Sequence, residues 1–217
     1  MKHFLPDHVH AVAIDADVVF LDTVADVYFC LAGAGELLAV RADGVVMADE
    51  PKAAAPLVEA GLLSTVGGAR ARAVPPPAMR SLSISASGAT PGRAIKALSA
   101  NARAARAVAD LTFAEILAMA AHVPADPASA DRPARATRLE ADAARFARLA
   151  PWLPHSGVCL MRSLQLLLYL RALGHAPAWV FGVRTWPFKA HCWLQSGDVV
   201  LDDHLEHVRA FVPIMAI

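Results

Sequence analysis

The stretch that decides the fold runs Cys159-Leu160-Met161-Arg162-Ser163-Leu164, then Ala190-His191-Cys192-Trp193, then Val200-Leu201-Asp202-Asp203. A thiol heads an apolar helix, an imidazole sits in one strand, and a carboxylate pair closes the next. Cys159 to Leu173 has helical composition, with Gly174 where a helix would end and Pro177 beyond it. Ala178 to Arg184, Ala190 to Gln195 and Val199 to Asp202 read as three strands, the last two joined by Ser196-Gly197-Asp198. Helices feeding an antiparallel sheet make an α+β pattern.

Thiol, imidazole and carboxylate in this order are the parts of a cysteine nucleophile triad. Cys159 follows the turn-forming His155-Ser156-Gly157, so its sulfur is expected near unpaired helix N–H groups. Those groups lower a thiol pKa and can hold an oxyanion during acyl transfer. On an alternating strand His191 and Trp193 face one way, and Ala190, Cys192 and Leu194 the other. A three-residue loop at Ser196-Gly197-Asp198 pairs Gln195 with Val199 and sets His191 opposite Asp203, with Cβ atoms about 5 Å apart, whereas a two-residue loop would shift this pairing. Asp202 then faces away as a solvated or capping group. His191, Cys192, Asp202, Asp203, His204 and His207 include enough zinc-ligand types. Neighbouring His191 and Cys192 diverge, however, and no CxxC or HExxH spacing appears, so no metal and no cofactor are expected.

Upstream, Ala94 to Met119 is helical in composition, Ala121 to Pro133 breaks it, and Arg138 to Ala150 is a further helix stopped by Pro151-Trp152-Leu153-Pro154. Residues 67–92, with Gly67-Gly68, Pro75-Pro76-Pro77 and Ser81 to Ser87, have linker composition. The front reads as strands His8 to Ile14, Val18 to Leu21 and Val27 to Leu31, then helices Glu36 to Arg41 and Glu50 to Ala60. That pattern describes a small winged-helix-like module over residues 1–66, followed by a linker over 67–92 and an α+β domain over 93–217.

Bulk properties narrow the class. Alanine supplies much of the 56% apolar content, and no apolar run approaches the ~18 residues that span a bilayer. The start lacks an apolar signal core, and three cysteines without framework spacing suit a reduced compartment, so a cytoplasmic protein is expected. Residues 1–66 hold three basic and ten acidic side chains, a net of −7, which leaves +7 for the remainder of this neutral chain. The basic part lacks a stripe with interleaved aromatics, which argues against a nucleic-acid partner.

The blocks from Cys159 to Leu164, Gly174 to Ala178, Val180 to Arg184, Pro187 to Trp193 and Val200 to Asp203 resemble the lasso-peptide B proteins, leader peptidases of the transglutaminase-like cysteine protease superfamily. The likeness covers roughly residues 139 to 215 and implies a transglutaminase/papain-like fold. It carries nucleophile, base and orienting carboxylate onto Cys159, His191 and Asp203. The family usually has a small residue where Cys192 stands, so Cys192 reads as tolerated. It also implies a threonine near the leader's end, with Trp186 and Trp193 as candidate pocket walls.

The front similarly resembles the precursor-recognition element that such proteins carry in fused form. This implies that a leader adds as a strand beside Val27, Tyr28, Phe29, Cys30 and Leu31, against Pro51, Ala54, Leu57 and Val58. The implied partners are a ribosomally made precursor peptide and an ATP-dependent, asparagine-synthetase-like macrolactam synthetase. The same triad also suits a transglutaminase-like acyltransferase, and a non-catalytic precursor-binding chaperone is the third reading.

Overall fold

The computed structural model describes residues 1–70, 72, 74–84, 88, 90–121, 132–154 and 158–217. Its contacts divide the chain into two compact units. One comprises Met1–Val74, Phe181–Ala190 and Phe211–Ala216; the other comprises Pro75–Val180, His191–Ala210 and Ile217.

The first unit is built on two three-stranded antiparallel sheets. Strands β2 (Val9–Ile14), β3 (Asp17–Asp22) and β4 (Val27–Leu31) form a meander. Asp15 turns the first corner with φ 52°, and Asp22 Oδ1 ties the second by accepting from the N–H groups of Val24 and Ala25. In the other sheet β6 (Val45–Ala48) lies between β1 (Lys2–Phe4) and β5 (Leu38–Val40). Helix α1 (Pro51–Glu59) starts on Pro51, whose missing N–H costs nothing in a first turn. Both sheets and α1 share one core of Val9, Val18, Phe20, Leu38, Val46, Ala48, Ala54 and Leu57 with Leu62 and Leu63. Val19 and Leu21, on the other face of β3, are fully buried too. Strand β4 is the edge of its sheet and, among the described residues, pairs as a strand with β3 alone.

This differs from the expected run of three strands followed by two helices. The expected helix Glu36 to Arg41 is a 3-10 turn, Ala34–Glu36, followed by β5. Glu36, Leu37, Leu38 and Ala39 are good helix formers, but Leu38 is taken into the core as part of a strand, so tertiary packing overrides propensity.

The second unit is mainly helical: α2 (Pro91–Asp110), α3 (Phe113–Ala121), α4 (Arg132–Leu149), α5 (Cys159–Arg171) and the short α6 (Leu205–Val208). Thr112 and Glu115 form a capping box that separates α2 from α3 inside what composition reads as one helix. A five-stranded sheet has the order β11 (Val212–Ala216), β8 (Ala178–Arg184), β9 (Lys189–Ser196), β10 (Val199–Val200) and β7 (Arg80–Ser81). The division between the units runs through β8 and β9 themselves. Strand β7 falls inside the stretch 67–92 read as linker and pairs in parallel with β10.

Helix α5 is the seat of this unit. Its residues from Ser163 to Leu170 are all buried, as in a helix enclosed on every side. Helices α2 and α4 pack on it, and Gln165 Nε2 donates to Asn101 Oδ1 on α2 at 2.6 Å. The buried carboxylate of Asp142 ties the helices together: it accepts from Arg93 on α2, from Arg145 at 2.9 Å and from His175 at 3.0 Å. Among the described residues no helix is long and apolar enough to cross a membrane. The expected turn His155-Ser156-Gly157 and most of the expected break from Ala121 to Pro133 lie outside the described residues.

Candidate active site

Cys159 is the first residue of α5, preceded by extended Val158, and among the described residues no side chain caps this helix start. The buried helix behind it fixes the sulfur in place while leaving it half exposed. Strand β9 passes beside it and delivers His191, whose side chain is buried. His191 Nε2 meets Asp203 Oδ2 at 2.6 Å. That leaves Nδ1 for the hydrogen bond between His191 and Cys159. Thiol, imidazole and carboxylate thus lie in one line.

The register that brings them together is not the expected one. Ser196 pairs with Val199 and Gln195 with Val200, so the loop is the two residues Gly197 and Asp198. Gly197 takes φ 58°, the left-handed conformation such tight loops require. A continued ladder would put Asp203 opposite Cys192. Instead β10 ends at Val200, the chain leaves the ladder, and Asp203 swings back onto His191.

Asp203 is a hub. Its Oδ2 also meets His207 Nδ1 at 2.9 Å and Arg162 Nη2 at 3.5 Å, and its Oδ1 accepts from the His204 N–H at 2.7 Å. Burial opposes ionisation, but the hydrogen bonds from His191, His204 and His207 hold this carboxyl well below the usual range. Burial likewise disfavours a charged His191, yet its bonds to Asp203 and Cys159 raise it to about 9. Cys159 is pulled down to about 4, first by the Cys192 thiol hydrogen-bonded to its sulfur, then by His191 and by the Cys192 backbone N–H. Thiolate and imidazolium are therefore the stable pair at neutral pH.

Asp202 is not solvated. Its Oδ1 accepts from the Leu194 N–H at 2.8 Å, and its Oδ2 is buried with no hydrogen-bond partner among the described residues. Burial pushes this carboxyl up to about 7.

Cys192 is also misplaced by strand alternation. It and His191 both act on Cys159, Cys192 through its thiol and its backbone N–H and His191 through its ring. Ser163, one turn beyond Cys159, joins them. Its Oγ bonds to the Cys159 carbonyl at 2.8 Å, lies 3.3 Å from Cys192 Sγ and accepts from Trp179 Nε1 at 2.8 Å. Its position four residues after Cys159 was the available signal, since i and i+4 share a helix face. The same spacing relates Asp203 to His207, but α6 is only four residues long and leaves no periodicity to read. His191, Asp203 and His207 present three metal-ligand atoms within 4.8 Å of one another, a set able to hold a divalent ion.

The residues expected to meet a peptide divide by burial. Val27, Phe29 and Cys30 on β4 are exposed, and Tyr28 and Leu31 are half-buried. On α1, Pro51 is exposed and Val58 half-buried, whereas Ala54 and Leu57 are buried in the unit's own core, because they lie on the inward face of the helix. Trp193 is buried, stacked on the His191 ring with centroids 6.0 Å apart. Trp186 is 76% exposed, and its Nε1 donates to Asp17 Oδ2 at 2.7 Å.

A family model described as the transglutaminase-like superfamily matches residues 100–216, which contain Cys159, His191 and Asp203. No curated protein and no solved structure matches the chain.

Proposed function

The chain belongs to the transglutaminase-like superfamily, and we propose that it is a cysteine peptidase that removes the leader from a lasso-peptide precursor. The observation that carries this reading is the line from Cys159 through His191 to Asp203, closed by the 2.6 Å bond. Cys159 thiolate attacks the carbonyl at the leader–core junction. The first-turn N–H groups of α5, which have no intrahelical acceptor, are placed to receive the developing oxyanion. His191 gives its Nδ1 proton to the departing core amine, then takes one from the water that cleaves the thioester. Asp203 remains ionised and holds the imidazole by Nε2.

The open edge of β4 supports a recognition role for the first unit. As the end strand of its sheet, β4 suits an extended peptide adding as a fourth strand, with Val27 and Phe29 exposed along it and, of the α1 residues expected to meet the leader, Pro51 exposed and Val58 half-buried. Such an enzyme acts in the cytoplasm and hands the freed core to an ATP-dependent macrolactam synthetase. The test is incubation with a synthetic leader–core peptide carrying threonine at the second-to-last leader position. Mass spectrometry should find a leader with a free carboxylate and a core with a free amine. A leader joined to an added amine would establish the acyltransferase reading instead, and an intact peptide would overturn both.

A further inference from the structure

Cys192 forms no bond and moves no proton in the reaction above, yet its thiol acts directly on the nucleophile. It is buried and follows His191 directly on β9. Its thiol and its backbone N–H both act on the Cys159 sulfur and favour the thiolate. Ser163 fixes the arrangement independently. Its Oγ touches both the Cys159 carbonyl, at 2.8 Å, and Cys192 Sγ, at 3.3 Å. Cys192 is thereby held over the first turn of α5, against the face that carries the nucleophile.

We propose that Cys192 is a resolving thiol: peroxide oxidation of Cys159 is trapped as a reversible Cys159–Cys192 disulfide. Cys159 thiolate attacks hydrogen peroxide, the O–O bond breaks, and after one proton is taken up the products are Cys159 sulfenic acid and water. The Cys192 sulfur then attacks the sulfenic sulfur, the S–O bond breaks, and the Cys192 proton leaves with the hydroxyl as a second water. Two thiols are oxidised and one peroxide is reduced. Burial of Cys192 is no obstacle, since its reaction partner is already in contact with it. A half-exposed thiolate is the form that peroxide attacks, and a neighbouring thiol limits further oxidation. A dithiol reductant reopens the bond by exchange.

The proposal is independent of which acyl acceptor the enzyme uses, and its test reads mass rather than turnover, so it can fail while the peptidase reading stands. Cys30, exposed on β4, is first replaced (Cys30→Ser) in the full chain, leaving only the two site thiols. Hydrogen peroxide should then give a product lighter by about 2 Da, with the peptides holding Cys159 and Cys192 linked and the original mass restored by dithiothreitol. Adding Cys192→Ala should convert that product into one heavier by about 32 or 48 Da that dithiothreitol does not reverse. The heavier product from the protein that retains Cys192, with no linked peptides, would overturn the proposal whether or not the alanine variant folds.

Discussion

Asp203→Asn replaces one carboxylate oxygen by an amide and removes one charge. In the protein Oδ1 accepts from the His204 N–H at 2.7 Å and Oδ2 faces His191 Nε2 at 2.6 Å. The backbone N–H at 204 selects the amide oxygen of the substituted side chain, which turns its NH2 towards His191. Nε2 must then accept, and the single imidazole proton moves to Nδ1, the atom that has to take the proton of Cys159. A mis-held tautomer of this kind costs about 10⁴ in turnover in a related triad, equivalent to roughly 5 kcal/mol of barrier. If the amide flipped, the tautomer would be kept and only the charge lost, and the penalty would be smaller. Single-turnover leader removal followed by mass spectrometry measures the loss, and circular dichroism checks the fold. In parallel, the pH at which iodoacetamide begins to alkylate Cys159 should rise from about 4. A loss under tenfold, with no movement of that titration, would show that Asp203 does not govern the imidazole.

Cys159→Ala should abolish leader removal while precursor affinity, read by fluorescence anisotropy, stays within about twofold, because binding is assigned to the first unit. Turnover at low substrate should follow a bell in pH, rising near 4 as Cys159 ionises and falling near 9 as His191 loses its proton; a single limb at neutrality would refute the ion pair. Asp202 titrates at about 7 when folded against 3.8 when free, so its contribution favours the fold below 3.8 and disappears as pH rises through 7. Asp202→Asn should therefore melt higher than the parent at pH 8, by up to roughly 4 kcal/mol of stability, and change little at pH 4. Asp142→Ala strands Arg93, Arg145 and His175 around a missing carboxylate and should cost about 3–5 kcal/mol in urea unfolding; under ~1 would mean the cluster is not holding the helices.

The parts of the site that depend on one element at a time were legible in the sequence. Cys159 at a helix start and His191 in a strand follow from local patterns. The partnership of His191 with Asp203 was reached through the wrong register. Ser196, Gly197 and Asp198 are all turn formers, and nothing local says which two carry the bend. The outcome survives because Asp203 lies past the end of β10, where the chain is free to fold back. The contact of Cys192 with Cys159 was not legible, since it depends on how a helix end meets a strand far away in sequence. In the first unit β5 was hidden by helix-forming residues. Strand β11 was hidden by Pro213, tolerated there because β11 is an edge strand.

The two compact units are interwoven in sequence. Five chain crossings separate them, after residues 74, 180, 190, 210 and 216. The N-terminal 74 residues therefore do not contain all of their own unit: Phe181–Ala190 and Phe211–Ala216 arrive from the far end of the chain, and β11 packs against β2. An expressed fragment ending near residue 74 would leave that side of the meander without its cover. For protein engineering, a recognition unit from another enzyme cannot be exchanged at a single splice point. A working chimaera would have to carry the donor's β8–β9 tip and its β11 as well, and changes in either segment should track changes in the N-terminal sheets as such proteins diverge.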